Sequence, residues 1–182
     1  MEFSISSSIE VLENTPATVA ALLHNLSPCW TNANEGKDTW TAKEVVAHLI
    51  VCEETNWLPR ARTILSDAAD GTFAAVDMNA HFELAAGRSL PALIDCFKSL
   101  RKSGIAELKR LNISESDLQK SAGHPKIGRV TLQQLIAAWT AHDLSHIVQI
   151  ARIMAMQQKQ HSGPFVSFLS LFTNWNATRH QP

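Results

Sequence analysis

The sequence predicts an all-α protein built as a four-helix bundle. Apolar residues recur at three- and four-residue spacings in four long segments, and two of these segments open with a capping box. Runs of alternating β-branched residues are missing, and no Asn-Gly or Asp-Gly pair joins two such runs as a tight β-hairpin turn. The chain has 182 residues, of which 45% are hydrophobic and 18% charged, so we expect a single domain over residues 1–182.

The first long helix is predicted to begin near Asn14 or Thr15, because either side chain can cap free amides and Pro16 suits a first turn. Its apolar stripe consists of Val19, Leu22, Leu23 and Leu26. We expect a short helical segment before it, joined at a kink at Pro16, with the apolar residues Ile5, Ile9 and Leu12. Residues 27–39 contain proline, asparagine and glycine and are predicted to form a loop.

The second helix has a clear start, because Thr41 and Glu44 match a capping box in which each side chain reaches the other residue's backbone amide. Its stripe consists of Val45, His48, Leu49, Cys52 and Asn56. Pro59 is expected to kink or end the first part of this helix, which residues 60–65 could continue. Residues 66–89 form a connection too long for a tight turn, which predicts a crossover between the second and third helices.

The third helix is predicted to begin between Ser89 and Pro91. Its buried stripe consists of Leu93, Phe97, Leu100, Gly104, Leu108 and Leu111. Glycine and proline interrupt the chain over residues 123–128, and the fourth helix then opens with a capping box of Thr131 and Gln134 and runs toward Gln157. Its stripe consists of Leu135, Trp139, His142, His146, Ile150 and Ile153.

A short amphipathic tail is predicted over residues 164–176. One helical face of it carries Phe165, Phe168, Leu169 and Phe172. Such an exposed face is consistent with a homodimer, and it is equally consistent with a tail that folds back over the bundle.

Composition narrows the function classes. A formal net charge of −1, from 16 basic and 17 acidic residues, provides no basic surface for nucleic-acid phosphates. The longest apolar stretch, residues 165–175, is too short to span a membrane, and residues 1–9 lack the pattern of a secretory signal, so a cytoplasmic location is expected. The 3 cysteines have no CxxC spacing, which favours reduced thiols.

Three histidines are candidates for a metal site. His142 and His146 lie four residues apart, so a helix brings them to the same side, where they can share one ion. His48 lies on the apolar stripe of the second helix, so it is also expected to face the interior of the bundle. Bundles commonly build metal sites from side chains on facing helices. From spacing alone, separate hydrogen bonds to buried polar groups explain these three histidines equally well.

Two segments resemble the DinB-like superfamily of damage-inducible metalloenzymes. Residues 39–49, with the sequence TWTAKEVVAHL, are similar to that family's second-helix signature. The second match covers the last helix and its approach, through His124-Pro125, Gly128, Thr131-Leu132, Trp139, His142-Asp143, His146, Gln149-Ile150 and Arg152. With Thr15-Pro16 included, the resemblance covers residues 14 to 156.

The resemblance implies a four-helix bundle of up-down-down-up order and a divalent metal ion held by His48, His142 and His146. Zinc or nickel is the expected metal, with iron, manganese or copper as alternatives. Three imidazoles leave coordination positions open for water or a thiol. We therefore expect a small-molecule substrate and either hydrolysis or the transfer of a low-molecular-weight thiol to an electrophile. The alternatives are a non-catalytic metal-binding stress protein and a dimeric interaction module.

Residues beside the candidate ligands have several interpretations. Cys52 lies one turn beyond His48 and is interpreted as a fourth ligand, as a residue lining the cavity, or as a small core residue. Asp143 is expected either to orient the site or to pair with Arg152 or with the second helix. Glu44 is assigned to the capping box alone. Glu53 and Glu54 are expected to be solvated or paired near a helix end. Three tryptophans are expected either to wall a pocket or to pack in the core: Trp40, Trp57 and Trp139. Surface or loop positions are expected for His24, His81, His161 and His180, with His81 able to reach the pocket mouth.

Overall fold

The computed structural model describes residues 2–66 and 71–173, which are mostly helical. The helices are α1 (Ile5–Leu23), α2 (Pro28–Thr31), α3 (Ala42–Thr55), α4 (Trp57–Leu65), α5 (Ala80–Gly87), α6 (Leu90–Arg110), α7 (Glu115–Leu118), α8 (Leu132–Met156) and α9 (Ser170–Thr173). Two strands, β1 (Ser121–His124) and β2 (Gly128–Thr131), precede α8, and a 3-10 helix over Lys159–Phe168 follows it. In this part of the chain, no helix is both long and apolar enough to span a bilayer.

Four long helices form the bundle. Helix α1 packs against α6 and α8, and α3 also packs against α6 and α8, so α1 lies diagonally opposite α3. Helix α4 follows α3 after a break at Asn56 and packs on α8, whereas α5 packs on α3. The predicted all-α bundle is therefore confirmed at the level of its packed helices.

Two helix starts follow the predicted capping boxes. The Thr41 side chain accepts a hydrogen bond from the Glu44 amide, and Glu44 accepts one from the Thr41 amide. Thr131 and Gln134 make the same reciprocal bonds at the start of α8. Because these bonds satisfy amides that have no partner within the helix, they fix where α3 and α8 begin.

The predicted start of the first helix near Asn14 is wrong. A single helix runs from Ile5 to Leu23 with Ser4 as its N-cap, and Pro16 lies inside it. Proline has no N–H, so the carbonyl of Leu12 loses its helical donor. Nη1 of Arg101 on α6 donates to this carbonyl at 2.8 Å. That bond compensates for the proline and lets the helix continue without a second cap.

The expectation of no hairpin is also wrong, because β1 and β2 pair antiparallel from Ser121↔Thr131 to His124↔Gly128. The strands have four residues each, too few for a visible alternation, and their connection over residues 125–127 is not a two-residue Asn-Gly turn. Gly128 supports the turn with φ of 83°. The crossover is tied to this hairpin by the Phe73 amide, which donates to the Gly123 carbonyl at 2.8 Å.

The predicted crossover between the second and third long helices contains α5, whose His81 and Ala85 are buried. The predicted tail forms the 3-10 helix and α9 as far as residue 173, and residues 174–176 lie outside the described range. Phe165 and Phe168 are 71% and 85% exposed, and α9 packs against α8.

The core consists of two apolar clusters. One contains Trp57, Leu132, Leu135 and Trp139, and the other contains Leu49, Leu93, Phe97, Ile150 and Ile153. Helix α8 contributes to the first cluster through its beginning and to the second through its end. Its two histidines fall between them, so the polar site is enclosed by apolar packing on both sides.

Candidate metal centre

The structure brings the three predicted histidines together. His48 is on α3, while His142 and His146 lie one turn apart on α8. One ring nitrogen from each lies within 4.8 Å of the others. Nε2 of His142 is 3.1 Å from Nε2 of His48 and 3.1 Å from Nε2 of His146. All three side chains are half-buried.

The second nitrogen of His146 defines its tautomer. Nδ1 lies 2.7 Å from Oε1 of Gln149, which is an acceptor only. Nδ1 therefore donates to Gln149, and Nε2 of a neutral His146 has a free lone pair aimed at the cluster. Hydrogen bonds of this kind orient the histidine ligands of metal ions.

Hydrogen bonding alone does not satisfy the cluster. Each 3.1 Å contact of His142 Nε2 needs one N–H and one lone pair, but a neutral imidazole nitrogen has only one of these. If His142 Nε2 carries the proton, its single N–H can make a full hydrogen bond to His146 or to His48, or a weaker bond shared between them, and it cannot accept from His48. If it is bare, the contact with His146 joins two lone pairs.

The protein environment keeps His48 and His146 neutral. Burial, together with the neighbouring His146 and His142, lowers the pKa of His48 to about 2. Burial and the nearby His142 lower the pKa of His146 to about 4. Neutral imidazoles with free lone pairs are the form that binds a divalent cation.

The donor set fits such a cation. Zinc–nitrogen bonds of about 2.0–2.1 Å at tetrahedral angles would separate neighbouring nitrogens by about 3.3 Å. The two 3.1 Å separations in the cluster are close to this value. A shared ion would also satisfy all three lone pairs at once. His48, His142 and His146 are therefore the described residues that could hold a metal.

Cys52 lies beside the cluster on α3. Its Sγ is 3.4 Å from Nε2 of His48 and 3.9 Å from Nε2 of His142. The side chain is buried, and burial beside Glu53 raises the thiol pKa to about 12. Cys52 thus lines the site as a neutral thiol.

Aromatic rings and a fourth histidine enclose the site. The Trp40 ring lies 4.9 Å from that of His48, and the Trp57 ring lies 5.0 Å from that of His142. The Trp139 ring stacks on that of Trp57 at 5.7 Å. His81 from the crossover packs 4.3 Å from Trp40 and 5.7 Å from His48.

The expectation of a surface position for His81 is wrong. The residue is 1% exposed, and its Nε2 has no hydrogen-bond partner among the described residues. Its position beside the site, however, agrees with its expected reach toward a pocket. Sequence periodicity could not place it, since it lies on a short helix within the crossover. His24 and His161 are exposed as expected, and His180 lies outside the described residues.

A buried ionic network lies directly behind the histidines. Nη2 of Arg101 is 2.7 Å from Oε1 of Glu53, and the same guanidinium binds both oxygens of Asp143. Nε1 of Trp139 also donates to Glu53 at 3.2 Å. With the bond from Arg101 to the Leu12 carbonyl, this network joins all four bundle helices.

The network identifies the partners of two charged residues. Of the two alternatives for Glu53, solvation is wrong and pairing near a helix end is confirmed, because Glu53 is buried and paired with Arg101, whereas Glu54 is exposed. Both expected partners of Asp143 are wrong, because it pairs with Arg101 on α6, while Arg152 pairs with Glu35. Both partnerships join residues far apart in sequence, so helical periodicity contained no sign of them.

The pKa values of the two buried carboxyls, Glu53 and Asp143, shift in opposite directions. Burial raises the pKa of Glu53 despite its pairing with Arg101. Burial also acts to raise the pKa of Asp143, but its polar interactions with His142 and Arg101 outweigh burial and lower that pKa. Asp143 is therefore the charged partner of Arg101 and a negative group adjacent to His142.

Comparison with known proteins assigns the family. The sequence pattern of the DinB superfamily matches residues 12–150, so the chain belongs to the DinB superfamily. No curated protein matches the sequence significantly. The fold is similar to that of YfiT from Bacillus subtilis, described as a probable metal-dependent hydrolase with an unusual four-helix bundle topology. That match has a TM-score of 0.74 at 18% identity and covers 86% of this chain and 90% of YfiT.

Proposed function

We propose that the protein is a metal-dependent enzyme whose divalent ion is held by His48, His142 and His146. The main support is the convergence of three imidazoles, in which two 3.1 Å contacts meet at one nitrogen of His142 that cannot make a full hydrogen bond to both neighbours. Membership of the DinB superfamily and the similarity to a probable metal-dependent hydrolase agree with this proposal.

An ion bound to three imidazoles supplies Lewis acidity and makes water or a thiol at an open position easier to deprotonate. The residues of this chain would orient and shield that position. Gln149 holds the tautomer of His146, while Trp40 and Trp57 pack against the histidines and limit the access of water. The substrate would be a small electrophile, attacked by water in a hydrolysis or by a low-molecular-weight thiol in a transfer.

The buried network supports a cation at this position. Asp143 is the carboxyl of this network whose pKa is lowered, and it interacts with both His142 and His146. Its negative charge therefore acts on the proposed ligands of the ion. The direct role of the network is to hold α3 and α8 in register, so that histidines from both helices point at one another.

Metal binding can be tested by equilibrium dialysis of metal-free protein against zinc or nickel. We expect about one ion per chain in the wild type and much weaker binding in His146→Ala. His161→Ala is the matched control, since His161 is exposed and is not part of the cluster. Absence of binding in the wild type, or equal binding in His146→Ala, would contradict the proposal.

The reaction class needs a separate assay. The metal-loaded protein would be offered activated esters without thiol, and monobromobimane with bacillithiol, mycothiol, glutathione or coenzyme A. Turnover only with a thiol indicates a transferase, and turnover of the esters alone indicates a hydrolase. Stoichiometric binding without turnover of either substrate class would favour the non-catalytic metal-binding alternative.

The finer expectations remain part of this proposal. These are zinc or nickel as the metal, a small-molecule partner, a cytoplasmic location and the up-down-down-up order of the four long helices. The diagonal placement of α1 and α3 is compatible with that order.

A further inference from the structure

The outward side of α8 lacks charge. Its only charged residues are Asp143 and Arg152, and both are buried. Every solvent-facing position of this 25-residue helix is therefore uncharged, although 18% of the whole chain is charged. A helix that faces water normally carries charged residues on its outer side, so this side has the character of an interface.

The apolar residues of this side follow a coiled-coil spacing. We define the outer face of α8 as Ala137, Ala141, Leu144, Val148, Ala151 and Ala155. Successive members are separated alternately by four and three residues, which is the seam of a heptad repeat. This seam is distinct from the stripe that enters the bundle. Leu144 and Val148 at its centre are 48% and 51% exposed.

The sizes of the side chains along the outer face of α8 are symmetric about its centre. From the centre toward either end of the helix, the face has one branched residue followed by two alanines. Two copies of α8 packed antiparallel about a two-fold axis would therefore match large residues with large and small with small. Leu144 would meet Val148 of the partner subunit, and Ala141 would meet Ala151 of the partner subunit.

We propose that the outer face of α8 binds a second copy of this chain in an antiparallel, two-fold symmetric dimer. Alanines at both ends of the face allow the helix backbones to approach closely, as small residues do in tight helix pairs. The positions flanking the seam include Gln134, Ser145 and Gln149, which are uncharged and do not repel an identical copy.

Other occupants fit this face less well. A membrane surface favours an apolar face edged by lysine and arginine, and exposed positions of α8 contain neither. The chain's own C-terminal segment is the other candidate, because α9 packs against α8 and Ala151 and Ala155 are half-buried. The exposed centre at Leu144 and Val148 nevertheless leaves room for a partner.

The oligomeric state of the full chain tests this inference. Light scattering after size exclusion should give about twice the monomer mass of 20.1 kDa. The Leu144→Glu/Val148→Glu variant should be monomeric, because dimerisation would bury four like charges near the axis. Ile127→Glu, at a hairpin position that is 71% exposed, should remain dimeric. Circular dichroism verifies that all variants are folded.

The tail is tested by Phe165→Glu/Phe168→Glu, which should also remain dimeric. A monomeric wild type, a dimeric Leu144→Glu/Val148→Glu variant, or a dimer lost only in the tail variant would each overturn the proposal. These outcomes are independent of metal binding, so they do not depend on the proposed function.

The register is tested by disulfide formation in a Cys29→Ser background, which removes the exposed native thiol. Chains carrying Ala141→Cys should cross-link with chains carrying Ala151→Cys faster than either variant cross-links with itself. Faster cross-linking of Ala141→Cys with itself would indicate a parallel pair and would contradict the antiparallel arrangement.

Discussion

Replacing Arg101 with methionine should strongly destabilise the fold. The Arg101 side chain is 2% exposed and lies between the side chains of Glu53 and Asp143, which are 3% and 0% exposed. Methionine keeps much of the apolar contact with Phe97 but leaves two buried carboxyls without their cation. Breaking a buried ion pair by removing one partner costs about 3–5 kcal/mol. The Leu12 carbonyl at Pro16 also loses its donor, so we expect a loss of about 4 kcal/mol.

The assay is urea unfolding of metal-free protein monitored by circular dichroism. Lys109→Met is the matched control, because Lys109 pairs with Glu13 at 2.6 Å but both side chains are about half exposed. Exposed pairs contribute about 0–1 kcal/mol, so this control should be nearly neutral. Adding Glu53→Gln and Asp143→Asn to Arg101→Met should restore about 2 kcal/mol, because no unpaired charge then remains.

The pH dependence provides a second check on the same variant. Without the cation, both buried carboxyls should have pKa values above those of the unfolded chain. The variant then gains stability as the pH falls through these raised pKa values. The wild type gains less over this range, because only Glu53 has a raised pKa, and the lowered pKa of Asp143 affects stability only below the ordinary aspartate value. The stability gap should therefore narrow between about pH 7.5 and pH 5. A loss in Arg101→Met no greater than in Lys109→Met, or a gap that widens at pH 5, would refute this reasoning.

Three further predictions concern single residues. Thr131→Ala should cost about 1 kcal/mol in urea unfolding because α8 loses its capping box, and an unchanged midpoint would show that the cap contributes nothing. Gly104→Ala should destabilise the fold by about 1 kcal/mol, because the new Cβ would lie 3.3 Å from Oε2 of Glu53, which its partners hold in place. This loss should exceed the gain from the better helix propensity of alanine, so a more stable variant would contradict the prediction. In metal-free protein at about pH 8, iodoacetamide should modify the exposed Cys29 long before Cys52, whose pKa is raised to about 12, and mass spectrometry that finds equal labelling would contradict the described burial.

Local sequence signals predicted the parts of the fold that depend on nearby residues. Thr41 and Thr131 each have their capping partner three residues away, so the starts of α3 and α8 could be read directly. Helical periodicity also predicted that His48, His142 and His146 face the interior of the bundle. The distances between their nitrogens depend on how α3 packs against α8, which periodicity does not contain.

Interactions between distant residues account for the errors. Pro16 looks like a helix start because the donor that compensates for it, Arg101, comes from another helix. The partner of Glu53 could not be identified for the same reason, since Arg101 is 48 residues away. His81 reaches the site through the course of the crossover, whose path depends on contacts with the hairpin and α3.

X-ray absorption spectroscopy of the zinc-loaded protein tests the proposed metal centre most directly. We predict scattering from three imidazoles, with nitrogen at about 2.0–2.1 Å, and no sulfur at about 2.3 Å. The imidazole signal should decrease in His142→Ala and stay unchanged in His161→Ala. A spectrum without imidazole scattering, or one dominated by sulfur, would contradict an open centre formed by His48, His142 and His146.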